Sequence, residues 1–230
     1  MKRLFIIICA AVVAFSASAK KPTTLFLVGD ETMAEQTSPE DRTDSSAVGW
    51  GQELAELLPE GTIIENHAVE GATTRSISGD GQWSNILYRA GKGTVMLLQF
   101  GHHEYDESDG RVYSTLEDFE NHLMSMVEDA QKKRLKVVLL TPTAKCYFKE
   151  GQLHPRHGAY AEGVRRVAER YKLPLIDLDA MTYQWIMELG PEKAPTYFAA
   201  DDVVRLNEAG AKKVADMVVT AAKAQRIKGF

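Results

Sequence analysis

The chain has 230 residues, 44% of them hydrophobic and 26% charged, which suits one domain with an ordinary core. It carries 27 Lys and Arg against 32 Asp and Glu; without Lys2 and Arg3 the basic count falls to 25 and the net charge to −7, which disfavours a phosphate backbone and so excludes nucleic acid as the expected partner. There are 2 cysteines, Cys9 and Cys146, and only Cys146 lies beyond the N-terminal apolar run, so stability is not expected from an internal disulfide.

Residues 1–19 read as an export signal: Lys2 and Arg3 precede the apolar run 4–15, and Ala17-Ser18-Ala19 offers small residues for cleavage. The mature chain is expected to begin at Lys20 and to form a single domain over 20–230, secreted or periplasmic. The apolar run is shorter than the ~20 residues of a spanning helix, and no later segment is as apolar, so no membrane span is expected. Cys9 follows Ile8 and lacks the small preceding residue of a lipoprotein site.

Beyond the leader, residues 23–28, 62–68, 94–100, 135–141 and 173–178 are short aliphatic or β-branched runs ending near Gly, Asp, Asn or Pro, the pattern of buried strands. Between them, helical periodicity appears at 52–58, 115–133, 159–171, 181–189 and 208–223. Ser114 followed by Glu117 predicts a capping box for the second helix, and Gly190-Pro191 closes the fourth. Strand and helix alternate, which predicts a three-layer α/β/α sandwich with a mainly parallel five-stranded sheet and a ligand crevice at the carboxyl ends of the strands. The polar stretch 37–47 reads as a surface loop.

Chemistry is therefore sought where the strands end. The first delivers Gly29-Asp30-Glu31-Thr32, the second Asn66-His67-Ala68-Val69-Glu70-Gly71-Ala72-Thr73-Thr74-Arg75-Ser76, and the third Phe100-Gly101-His102-His103-Glu104. Asp202-Val203-Val204-Arg205-Leu206-Asn207 leads into the last helix. In order, spacing and placement, these segments resemble the four blocks of SGNH (GDSL-type) hydrolases, which implies a flavodoxin-like sheet. Gly49-Trp50-Gly51 and residues 68–76 are similar to rhamnogalacturonan acetylesterases in particular.

The resemblance assigns roles that most of these residues cannot play. Glu31 stands where the family has its serine nucleophile. Arg205 stands where the Asp-x-x-His block has its base, with Asp202 as the retained carboxylate. His103 replaces the Asn of the oxyanion hole, leaving Gly71 as the matching donor. A guanidinium stays protonated near neutral pH and cannot take a proton from a hydroxyl. The opposite charges of Glu31 and Arg205 lead to the expectation that the two pair directly, with the Glu31 pKa lowered.

Two functions follow. The first is a pseudo-esterase that keeps a carbohydrate-binding cleft, by resemblance for a pectic oligosaccharide, since loss of nucleophile and base removes the cooperative chemistry of a triad. The second is a re-equipped hydrolase in which Glu31, Glu104 and Asp202 gather beside His102 and His103 for acid and base work on glycosidic bonds. Glu104, Arg75 and Trp50 are the candidate substrate contacts. Trp50 fits core packing better than sugar stacking, and Arg75 fits a structural ion pair equally well. Adjacent His102 and His103 point in different directions, so no metal site is expected and no cofactor is called for. His154 and His157 read as an exposed loop. Asp30 reads as a brace for the turn after the first strand.

Overall fold

A computed structural model describes residues 22–43, 46–79, 81–154 and 157–230, so the proposed leader at 1–19 lies outside the described residues. Seven strands and six helices occur among the described residues: β1 (Thr24–Gly29), β2 (Ile63–Asn66), α1 (Thr74–Gly79), α2 (Gln82–Arg89), β3 (Val95–Gln99), α3 (Leu116–Lys132), β4 (Lys136–Leu140), β5 (Phe148–Lys149), β6 (Gln152–Leu153), α4 (Gly158–Tyr171), β7 (Leu175–Ile176), α5 (Leu178–Lys193) and α6 (Glu208–Ala224). The main sheet has the order β2-β1-β3-β4-β7, and every pairing in it is parallel. The order reverses beside β1, and this is where an open parallel sheet forms its crevice.

Side chains alternate across each strand, so the period of two sorts β1, β3 and β4 between two cores. Leu25, Leu27, Val95, Leu97, Val138 and Leu140 pack with Trp185 and Ile186 of α5 and with Val214 and Val218 of α6. On the opposite face Phe26, Val28, Met96, Leu98, Val137 and Leu139 pack with Ile77, Trp83 and Ile86 and with Phe119, Val127 and Val164. The three layers follow directly: a sheet buried on both faces needs helices on both.

Local chemistry corrects several expectations. The helix expected at 52–58 is instead two 3₁₀ turns, Trp50–Glu53 and Ala55–Leu57. A Cβ on Gly49 would lie 1.9 Å from the Ala34 carbonyl oxygen and one on Gly51 2.4 Å from that of Met33, so only glycines let this segment press onto the turn after β1. The N-cap of α3 is Thr115, whose hydroxyl accepts the Asp118 amide at 3.1 Å, one residue later than the expected Ser114. Helix α5 breaks at Gly190, φ +74°, next to Pro191, as the Gly-Pro pair requires. Helices α1 and α2 are additions that the 3.6-residue pattern did not reveal, because α1 is only one and a half turns long.

Candidate active site

The turn after β1 is built by Asp30. Its carbonyl accepts the amides of Met33 at 3.1 Å and Ala34 at 3.0 Å, and its Oδ1 accepts the Thr32 amide at 3.0 Å and hydroxyl at 2.8 Å. This is the brace expected of an Asp at a strand end, and it places Glu31 at the strand's carboxyl end. From the neighbouring strand β2 the chain runs on until Gly71 turns with φ +69°, a conformation a glycine adopts without penalty, so that its amide points back at Glu31. Strand β3 supplies His102 and His103, and the loop before α6 supplies Asp202 and Arg205.

Glu31, Glu70, Gly71, His103, Asp202, Val204 and Arg205 line a cleft of about 280 Å³. The five positions that the resemblance assigns to catalysis and the oxyanion hole therefore do come together. The Glu31 carboxylate, on a side chain only 5% exposed, lies 2.7 Å from His103 Nε2 through both of its oxygens, and its Oε2 accepts the Gly71 amide at 3.2 Å. Its backbone carbonyl is capped by the Gln36 side chain. Burial works to raise the Glu31 pKa, but the His103 hydrogen bond and the charges of His102 and His103 overcome it and hold the carboxyl at about 2. Burial works to lower His103, but the bond to Glu31 together with the charges of Glu31, Asp30 and Glu104 outweighs it, so the imidazole is raised. With the carboxyl ionised, Nε2 carries the proton and donates it.

The expected Glu31–Arg205 pair is not formed. Arg205 Nε instead donates to Asp202 Oδ2 at 2.7 Å, and its Nη1 reaches Glu70 Oε1 at 3.2 Å. The reason is local: Asp202 Oδ1 accepts the amides of Val204 at 2.7 Å and Arg205 at 3.0 Å, which folds residues 202–205 into a turn that sets the carboxylate under its own guanidinium. Burial raises the Asp202 pKa, and the Arg205 bond and charge together with the amides of Val204 and Arg205 more than offset this, so the group is lowered. Glu31 finds its counter-charge in His103.

The three expected substrate contacts fare differently. Trp50 is fully buried and its Nε1 donates to Gln99 Oε1 at 2.9 Å, so the indole is core and cannot stack on a sugar. Glu104 is also fully buried; its oxygens accept the Thr74 amide at 3.0 Å and the His103 amide at 3.3 Å, tying the end of β3 to the start of α1. Burial pushes Glu104 up to about 7, against these backbone bonds. It is not a cleft carboxylate, which removes one member of the expected acid-base trio. Arg75 is exposed on α1 with Nη1 on the Tyr113 carbonyl at 3.2 Å, and it does not line the cleft.

Behind the cleft, His102 turns away from His103. Its Nδ1 is 2.6 Å from Asp30 Oδ2, both side chains being fully buried, and its Nε2 is 3.1 Å from the Thr143 carbonyl. His157, expected in an exposed loop, is buried edge-on against His102 with ring centroids 4.5 Å apart, and burial lowers its pKa well below 6.5. His154 is exposed as expected. Two residues went unrecognised in the sequence: Glu70, which shares Arg205, and His102 as the partner of Asp30. Their neighbours were singled out, but pairing between separate loops has no one-dimensional signal.

Residues 27–213 match the GDSL-like Lipase/Acylhydrolase family. The chain belongs to that family. It is 30% identical over 213 residues to a rhamnogalacturonan acetylesterase of Bacillus subtilis, an alignment that covers 86% of this chain and 89% of that one. It is 22% identical over 218 residues to a rhamnogalacturonan acetylesterase of Emericella nidulans, covering 86% and 84%. Among solved structures it resembles Bacillus subtilis YxiM with a TM-score of 0.81 at 26% identity, over 91% of this chain and 58% of that one. It also shares the fold of an acetylxylan esterase from Geobacillus stearothermophilus, with a TM-score of 0.67 at 20% identity over 88% and 96%. The cleft of this family member holds the Glu31 carboxylate on the Gly71 amide and His103 Nε2.

Proposed function

We propose that this GDSL-family protein is a secreted pseudo-esterase whose cleft binds carbohydrate, a pectic oligosaccharide by analogy with its rhamnogalacturonan acetylesterase relatives, without cleaving an acetyl ester. One observation carries the reading: the Glu31 carboxylate occupies both the Gly71 amide and His103 Nε2. An ester carbonyl needs those donors free to stabilise the charge that develops on its oxygen. A carboxylate held at about 2 is also a weak nucleophile, and Arg205, locked to Asp202, is no base. Nor does the cleft favour glycoside cleavage. That reaction needs a carboxylic acid kept protonated beside the sugar, and among the described residues the one carboxyl pushed up to about 7, Glu104, is fully buried outside the cleft.

The test compares hydrolysis of an aryl acetate by the natural protein and by a variant combining Glu31→Ser, His103→Asn and Arg205→His. The natural protein is expected to stay near the uncatalysed rate, and the triple variant to exceed it by about a hundredfold or more, as recovery of a triad's cooperative chemistry would give. Turnover by the natural protein at rates usual for esterases, unchanged by Glu31→Ala, refutes the proposal. Export is checked separately by the N-terminus of the released protein, expected at Lys20.

A further inference from the structure

The geometry points to a ligand of inverted polarity: we infer that the sugar bound in this cleft presents free hydroxyls to Glu31, and that the cleft discriminates against the same sugar carrying an acetyl ester. The inference rests on the carbohydrate-binding reading above and specifies which form of the carbohydrate is held.

The argument begins with counting donors and acceptors. An acetyl ester offers only acceptor oxygens and a methyl group, so a site that welcomes it must supply donors. The two such donors at the floor of this cleft, Gly71 N–H and His103 Nε2–H, are both spent on Glu31. An ionised carboxylate has about four acceptor positions and no donor. The His103 proton shared between two oxygens and the Gly71 amide leave acceptor capacity on a side chain that is 5% exposed and lines the cleft. A buried acceptor with capacity to spare is completed by an O–H donor and repelled by a carbonyl oxygen.

The surrounding charges act in the same direction. Glu31, Glu70 and Asp202 bring three carboxylates to the cleft, against the guanidinium of Arg205 and the imidazole of His103. Even with His103 protonated, one negative charge is left over. The Arg205 guanidinium is turned toward carboxylates rather than toward Glu31, with Nε on Asp202 at 2.7 Å and Nη1 on Glu70 at 3.2 Å, so its charge is offset within the cleft. Because Glu31 stays ionised down to about 2, the acceptor character of the floor persists across the pH range in which a carbohydrate would be met. The substitutions at 31, 103 and 205 thus amount to more than a loss of activity. They replace a site built to grip an ester oxygen by one that fits the hydroxyl left when the ester is gone.

The experiment measures binding by calorimetry or saturation-transfer NMR to a monoacetylated pectic oligosaccharide and to the same compound with only the acetyl group removed, carboxyl groups unchanged. The natural protein is expected to bind the de-acetylated compound about tenfold tighter or more, the value of one charge-assisted hydrogen bond gained in place of an acceptor-acceptor contact. Glu31→Gln, which turns one oxygen into a donor at nearly constant shape, is expected to erase or reverse that preference, with its folding checked by thermal melting. Equal affinity, or tighter binding of the acetylated compound, overturns this inference while leaving the carbohydrate-binding reading in place. Binding of neither compound overturns both.

Discussion

Removing the imidazole at 103 tests whether Glu31 is held by its local partner. His103→Ala strips Glu31 of its strongest hydrogen bond while leaving the Gly71 amide at 3.2 Å and the buried setting unchanged. Glu31 sits at about 2 rather than 4.5, and at about 1.4 kcal/mol per pKa unit this corresponds to roughly 3 kcal/mol of folded-state stability. The sign follows from the direction of the shift. A depressed carboxyl stabilises above its unfolded value of 4.5, and that contribution is lost as the pH falls toward 2. His103 is raised above 6.5, so its own contribution is complete below 6.5 and is lost as the pH rises through the raised value. Without the imidazole, burial alone acts against the Glu31 charge, and its pKa rises. Denaturant unfolding of the natural protein and the variant, repeated from pH 8 to pH 3, should therefore show a deficit of about 3 kcal/mol at its greatest, shrinking as the pH drops below 4.5. A deficit under about 0.5 kcal/mol at pH 6, the size of an ordinary surface change, or one that does not vary with pH, would refute the reasoning.

Three further outcomes follow from the same physics. Glu104 is raised from 4.5 to about 7, so it costs stability as the pH climbs through that interval; Glu104→Gln should flatten the pH dependence of unfolding between 4.5 and 7. His102→Ala leaves the fully buried Asp30 carboxylate without its 2.6 Å partner and should cost about 3 to 5 kcal/mol, read as a fall in Tm. Cys146 is buried and its thiol is pushed up to about 11, so an aromatic disulfide reagent should titrate it only after unfolding; rapid labelling of the native protein would contradict that burial.

How much of this was legible in one dimension depended on the range of the interaction. Val28, Leu98 and Leu139 announce buried strands because a chain hydrophobic on both alternating faces has few other places to go, and the helices α3, α4 and α6 declare themselves by their apolar stripes. The segments carrying Glu31, Gly71, His103 and Arg205 were identifiable because each closes a strand or opens a helix, and such ends meet at one edge of a parallel sheet. The charges at Glu31 and Arg205, opposite and at facing positions, suggested a pair that the structure does not contain. What sequence lacked was the turn at 202–205, in which Asp202 captures its own guanidinium three residues on.

The sequence by itself determined the layered α/β fold, the segments that carry Glu31, Gly71, His103, Asp202 and Arg205 to one cleft, and the absence of a serine-histidine couple from them, because periodicity and residue chemistry are local properties. Only the tertiary structure decided which charge answers which. His103 rather than Arg205 holds Glu31, Asp30 takes His102, Glu104 disappears into the backbone, and Trp50 into the core. Partners in a folded chain are chosen by distance and by the cost of leaving a buried group unsatisfied, and neither quantity exists until the loops are brought together.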